Sequence, residues 1–582
     1  MKSFVVISLV LLFAGCSEQG NEAIGIEPAQ RVVSLAPSLT EIICAIGADD
    51  QLVGRTSACD YPPDLIKDIP VIGNFGDPSL ELLIAAKPDL ILTADLREER
   101  AGQKIDELGL TRKRIKCSRL DDIPTAIIEI GKLLKKEDAA IETADALKRE
   151  IASLRNNLSG INRPSVFVEI WSKPLMTAGK DSFISELIQL AGGRNIGDRI
   201  NKDFFRTSSE WVISMDPDII LYLAHPKERT SLSNVIFTRS GWNQISAVKN
   251  KHIYDDFDLD SITRAGPRVI EGIKQLRSCI IDGSGKHDPP AEKSDVKKAI
   301  FMLRLDRILT GFFVGAALAC AGVVFQALLR NPLAEPYILG VSSGAGLGTA
   351  LAFVSGLAAI SIYALPLCAF IFAVITLVIV YMLASSNGRL SIYSLILSGV
   401  IVSAVCGSLL MFLISLSPDK MPHVMWWMLG DLELHPRALM IATSIITTLG
   451  AIGVWIISPE LNAMSLGNEM AHYVGVRTKL ATTVGLLLAT LMTASAVAVA
   501  GLIGFVGLII PHVMRNLTGP DHRKLVPASV IVGGIFLVIC DLAAKTILGP
   551  AEEIPVGVIT ALVGGPFFII ILRRKRKQGW TE

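Results

Sequence analysis

The feature that most constrains this chain is how its charge is distributed. Nearly all Asp, Glu and Lys stand before about Arg307, and beyond it long apolar runs are broken by Gly, Pro and short polar loops. A mean hydropathy of +0.48 conflicts with 19% charged residues unless polarity is segregated along the chain. Such a chain reads as half soluble and half membrane. With 582 residues, more than one core is expected. A net charge of +1 implies neither a nucleic-acid surface nor an acidic substrate.

The first residues read as an export segment: Lys2, the apolar stretch Phe4 to Ala14, then Ala14-Gly15-Cys16. As a helix that stretch covers about 17 Å, too little for a hydrocarbon core of about 30 Å. Leu12-Phe13-Ala14-Gly15-Cys16 resembles a bacterial lipoprotein signal, in which Cys16 becomes the lipidated N-terminus. An ordinary cleaved signal is the alternative, and either one exports the domain behind it. We take 1–23 as this segment. Nine cysteines do not form a disulfide scaffold. Cys320, Cys368, Cys406 and Cys540 lie in apolar spans, where Cys acts as a small hydrophobe. Cys44, Cys59, Cys117 and Cys279 lie in the exported half, where pairing is open.

Residues 24–283 read as a two-lobed α/β domain. Val32–Leu35 and Asp89–Leu92 are buried-strand candidates of one lobe, Val166–Glu169 and Asp218–Leu221 of the other. A helix-patterned stretch from about Ile123 to Leu158 is expected to be one rigid interlobe helix. Residues 284–302 have a linker composition. Residues 303–582 carry apolar segments near 308–328, 339–358, 363–384, 392–415, 438–457, 479–500, 503–516, 526–547 and 556–572, read as an all-α polytopic bundle of about nine spans. With the soluble half outside, the inner loops collect Arg330, Arg389, Arg477, Lys479, Arg515, Arg523 and Lys524, and the tail Arg573 to Lys577 is also inside. The positive-inside rule therefore agrees with export.

The membrane half resembles the FecCD-like permease family, which imports cobalamin, haem and iron–siderophore chelates. The resemblance rests on Ala319-Cys-Ala-Gly-Val-Val-Phe-Gln326, Arg330-Asn-Pro-Leu-Ala-Glu-Pro336, Leu339-Gly-Val-Ser-Ser-Gly-Ala345, Trp427-Met-Leu-Gly430, Gly504-Phe-Val-Gly-Leu-Ile-Ile-Pro-His512 and Glu553-Ile-Pro-Val-Gly557. Family members usually have a further helix before the stretch seen here as Arg304-Leu-Asp-Arg307, and this chain has a soluble domain in its place. The exported half resembles the cobalamin-binding protein of the same systems through Asp60-Tyr-Pro-Pro63, Lys87-Pro-Asp-Leu90, Thr177-Ala-Gly-Lys180, Gly192-Gly-Arg-Asn195 and Arg264-Ala-Gly-Pro-Arg268. That resemblance places Phe75, Met176, Phe204, Asp260 and Arg264 at ligand-pocket positions, with core packing the alternative for the two phenylalanines. Ala58 stands where the cobalamin binder has Tyr.

A corrin or haem is a broad, partly apolar disc that aromatic faces cover well, whereas a bare metal needs converging ligands. His225 and His252 are too far apart in sequence to form a ligand-spaced cluster, so no metal site is expected. The family docks a glutamate of each lobe on permease arginines. The resemblance assigns Glu81 and Glu210 to the first role and Arg304, Arg307 and Lys545 to the second. The stretch Ser465-Leu-Gly-Asn-Glu-Met-Ala-His-Tyr-Val-Gly475 resembles the ATPase-contacting helices, giving Leu466, Gly467, Glu469 and Arg477 as coupling residues.

No G-x-x-x-x-G-K-[ST] phosphate loop occurs, so no catalytic residue is assigned and a separate ATPase subunit, in two copies, is implied. A permease homodimer is implied likewise. The expected function is ATP-driven import of a bulky metal chelate, cobalamin or a related corrinoid. A ferric siderophore or haem is the alternative within this class, and a membrane-anchored ligand sensor the rival from another. No cofactor is expected to reside in the chain, which is placed in the cytoplasmic membrane.

Overall fold

The computed structural model describes residues 29–577 except 95–98, 157, 159–162, 173, 224–235, 238, 283–292, 362, 387–388, 418–419, 433–435 and 550. Cys16 and His225 lie outside the described residues. The chain divides into two compact units, one of residues 1–157 with 260–272, the other of residues 158–259 with 273–582.

The first unit is built on a six-stranded sheet: β1 (Val32–Ser34), β2 (Leu52–Thr56), β3 (Val71–Asn74), β4 (Asp77–Pro78), β5 (Leu90–Ala94) and β6 (Arg112–Ile115), in the order β4-β3-β2-β1-β5-β6. All pairings are parallel except that of β4. β1 and β5 are buried along their whole length, as a sheet covered on both faces requires.

The single interlobe helix expected from about Ile123 to Leu158 is instead two helices, Asp122–Leu133 and Glu137–Asn156. Lys135, at φ 55°, turns the chain between them, and the Lys136 amide closes the turn on the Gly131 carbonyl at 2.8 Å. The break has a packing cause. Ile123, Ala126, Ile127 and Ile130 form a buried stripe on the first helix, and Ala140, Ala144, Leu147 and Ile151 one on the second. Folding back lets the helices meet so closely that a Cβ on Gly131 would overlap that of Ala140.

The second unit begins as another α/β lobe. Its four-stranded parallel sheet joins β7 (Ser165–Glu169), β10 (Arg194–Asn195), β12 (Ile219–Tyr222) and β13 (Ile253–Tyr254) in the order β10-β7-β12-β13. A small antiparallel sheet joins β8 (Trp171–Ser172), β9 (Leu175–Ala178) and β11 (Phe204–Arg206) in the order β11-β9-β8.

The described part of the expected linker is helical, because the first long helix of the membrane half starts at Lys293 and runs unbroken to Leu328. It is the axis of the bundle. Helices Arg437–Ile456, Thr478–Ala500, Val506–Thr518 and His522–Thr546 all pack on it. Small residues set these distances: a Cβ on Gly322 would overlap the Gly507 carbonyl, and one on Gly315 the Gly533 carbonyl.

Each of the nine apolar segments carries helix, but six among the described residues are long and apolar enough to cross a bilayer. The count of nine spans is not reached by that measure. Helix Val341–Val354 is cut short by left-handed Gly340 and Gly356. Helix Val506–Thr518 is bounded by left-handed Phe505 and by Gly519. In Val556–Lys577 the apolar part ends at Leu572, ahead of Arg573.

The irregular stretch between Ala500 and Val506 is held by protein groups. Tyr337 Oη donates to the Ile503 carbonyl at 2.8 Å and accepts from its amide at 3.2 Å, and the Glu335 carboxylate accepts from the Phe505 amide at 2.7 Å. A helix can break within an apolar bundle only where its backbone groups find such partners.

Candidate binding and docking sites

In the first unit, the loops after the carboxyl ends of β2 and β3 carry Ala58, Asp60, Tyr61 and Phe75. This end of an open parallel sheet is where ligands bind as a rule. Phe75 is 41% exposed, so core packing does not account for it within its own unit. Asp260 and Arg264 are brought together at 2.8 Å. The Arg264 guanidinium also meets Asp60 at 2.7 Å and Glu41 at 3.3 Å, and donates to the Ala58 carbonyl at 3.3 Å. Its charge is thus shared among three carboxylates, and it is no lone cation for an anionic ligand. Beside it, Arg268 clasps Glu41 through Nε and Nη2 and lies 3.8 Å over the Tyr61 ring. Glu81 is exposed in the first turn of helix Leu80–Ala86, which Ser79 caps.

In the second unit, the small antiparallel sheet positions the expected ligand residues. Met176 is the cross-strand partner of both Arg206 and Trp171, and Phe204 lies one step further along β11 on the face of Arg206. Phe205, on the opposite face, is buried in the lobe core, while Phe204 is 47% exposed. The row Trp171–Met176–Arg206 abuts the membrane half. Trp171 Nε1 donates to the His423 ring at 2.8–2.9 Å, the two rings lying edge to face with centroids 4.5 Å apart. Arg206 pairs with Asp431 and lies 5.6 Å from the Trp426 ring centroid. A cavity of 60 Å³ remains here, lined among others by Phe353, His423, Trp426, Trp427 and Asp431.

Glu210 stands in the first turn of helix Ser209–Met215, started by the Ser208 hydroxyl accepting from the Trp211 amide. Its carboxylate is brought together with Arg304 and, at 3.2 Å, with Lys545. Arg307 lines the same small cavity as Glu210 and Lys545 but takes its ion pairs elsewhere. Its guanidinium, buried, meets Asp541 at 2.7 Å and Glu553 at 2.9 Å, tying three segments of the bundle to one another. The reason is geometric: one helical turn below Arg304, its side chain points into the bundle. Lys202 meets Glu552 at 2.7 Å.

The residues missed in the sequence are therefore Trp171, Lys202, Arg206, His423, Asp431 and Glu552. The aromatic run Met421-Pro-His-Val-Met-Trp426-Trp427 was the available signal.

At the expected coupling stretch, Leu466 ends helix Ser458–Ser465, and Gly467, at φ 125°, turns into helix Asn468–Tyr473. Glu469 and Arg477 are exposed. Leu466, Met470, Tyr473 and Val474 are 55–84% exposed beside these charges, an apolar patch of the kind that marks a partner surface. Among the described residues no disulfide forms, and no group of acidic, His or Cys side chains is arranged to hold a metal.

Residues 273–574 match the FecCD transport family, and residues 32–258 match the periplasmic binding protein family. The chain belongs to the FecCD transport family. Its membrane half is 40% identical to the ABC transporter permease protein YvrB of Bacillus subtilis, over 48% of this chain and 79% of that one. It is 40% identical to the cobalamin import system permease protein BtuC of Halobacterium salinarum, over 47% and 72%. It is 37% identical to the hemin transport system permease protein HmuU of Yersinia pestis, over 47% and 83%. The binding half is similar to a solved periplasmic solute-binding protein of Staphylococcus epidermidis, 32% identical over 44% of this chain and 99% of that one, with a TM-score of 0.40. This FecCD protein is thus a binding protein and a permease in one chain, a membrane transport component and not an enzyme.

Proposed function

We propose that this chain imports a bulky metal chelate, cobalamin or a related corrinoid, driven by two copies of a separate ABC ATPase acting on a permease homodimer. The observation that carries the reading is the presence of a periplasmic binding protein and a FecCD permease in one chain. The relatives include import permeases for cobalamin and hemin. The binding half lies outside, as the export segment and the basic inner loops suggest, with Cys16 as lipid anchor. Phe75, Met176, Phe204, Asp260 and Arg264 serve the ligand, the two phenylalanines as aromatic faces suited to a broad disc. Glu81 and Glu210 serve docking, and Leu466, Gly467, Glu469 and Arg477 receive the ATPase.

Full-length protein in nanodiscs, titrated calorimetrically with cyanocobalamin, haemin and ferrichrome, tests the ligand. Tight binding of cyanocobalamin supports the reading. Tight binding of ferrichrome without cyanocobalamin overturns it. Haem is the second reading, favoured by the similarity to the hemin permease and by the neutralised Arg264. Accumulation of ligand in proteoliposomes with ATP and the ATPase separates an importer from a sensor, which would bind without accumulating.

A further inference from the structure

Lobe and permease of the second unit share one hydrophobic core. Phe167, Phe205, Trp211 and Trp242 of the lobe cluster with Leu303 of the first long helix and Ala551 of the loop before the last, all buried, and Val296 and Ile300 pack against them. A Cβ on Gly241 of the lobe would press against Leu303. Contacts between molecules that meet and part are about as polar as the rest of their surface, whereas permanent ones resemble a domain core cut in half. Here the boundary runs through a core.

Around that core the contact is closed on several sides. Arg206 with Asp431 is largely sequestered, with side chains 9% and 18% exposed. Lys202 with Glu552, and Glu210 with Arg304 and Lys545, hold other edges. Trp171 seated on His423 fills the far end. Separation would expose the core and strip buried charges of their partners at once. The helix that begins at Lys293 carries Val296, Ile300 and Leu303 from this shared core directly into the bundle.

We infer that the second lobe, residues 158–259, is a permanent part of the permease mouth and stays seated on its own chain throughout the cycle. Ligand capture and handover then rest on displacement of the first lobe alone. The inference depends on the importer reading for its functional meaning but not for its test. It also gives the Trp171–Met176–Arg206 row a role: the sheet that would carry the ligand is fixed against the mouth, so ligand passes from Phe204 and Met176 towards Trp426 and Trp427 without the binding half dissociating.

The test uses the full chain in nanodiscs with its ATPase. Spin labels at Lys249 on the lobe and Ile360 on the permease report their separation without ligand, with cyanocobalamin or haemin, and with vanadate-trapped nucleotide. One narrow distance, the same in every state, is expected. A second, longer population in any state overturns the inference. In proteoliposomes, the Lys202→Cys/Glu552→Cys variant is bridged by a short reducible bis-methanethiosulfonate and compared with its own reduced form. Uptake within about twofold of the reduced form supports a fixed lobe, and a loss of tenfold or more that reductant restores refutes it. If wild-type protein accumulates neither probe, the corrinoid and haem readings fail, while the spin-label distances still decide whether the lobe is fixed.

Discussion

Arg304 and Arg307 are one helical turn apart in very different surroundings. The Arg304 side chain is 63% exposed and that of Arg307 8%. An exposed pair contributes about 0–1 kcal/mol, so Arg304→Met should leave thermal unfolding in detergent nearly unchanged. Removing one member of a buried charge cluster costs about 3–5 kcal/mol, because the others remain uncompensated. Arg307→Met leaves Asp541 and Glu553 in that state and should abolish a monodisperse peak in size-exclusion chromatography. Asp60 behaves in the opposite sense with pH. Burial opposes its ionisation, but the hydrogen bond and charge of Arg264 prevail and hold its carboxyl below the ordinary 3.8. A carboxylate depressed in this way adds stability that is complete above its unfolded pKa and lost as pH falls through the folded value. The window therefore lies below about pH 4. Asp60→Asn should lower the melting temperature at pH 7, and the difference from wild type should narrow as the pH falls below about 4.

The helices of the bundle depend on where glycine stands. Gly322 faces the Gly507 carbonyl, and backbone cannot yield to a methyl group there. Gly407, in helix Ile392–Leu416, has nothing near enough for a Cβ to touch. Ala is favoured over Gly within a helix by about 0.5–1 kcal/mol. Gly407→Ala should therefore be neutral or mildly stabilising in a detergent melt, and Gly322→Ala strongly destabilising. Both glycines look alike in the sequence, and only their neighbours separate them. The same holds for the stretch 123–158. Its amphipathic pattern announced helix, but the return at Lys135 comes from two buried stripes that must meet.

For the whole molecule, the shared core of the second unit has a consequence for dissection. A fragment ending at residue 283 loses Val296, Ile300, Leu303 and Ala551 from the cluster around Trp211 and Trp242. Hydrogen exchange should find β7 and β12 less protected in that fragment than in the full chain, with β1 and β5 of the first unit unaffected. Equal protection of β7 in both proteins would show that the lobe carries a complete core of its own.

Much of this architecture was legible in the order of residues alone. Segregated polarity separated a water-soluble half from a membrane half, because apolar runs of that length cannot be hidden in a small soluble core. Short motifs carried the family, since close helix approach and helix breaks demand Gly and Pro at particular positions. What only the folded chain decided is which charges meet. Glu210 reached Arg304 and Lys545, while Arg307 turned inward, and Arg206, His423 and Asp431 came together from segments more than two hundred residues apart. Periodicity records the direction in which a side chain leaves its own helix or strand. It holds no information on what stands opposite, and burial and charge pairing are settled there.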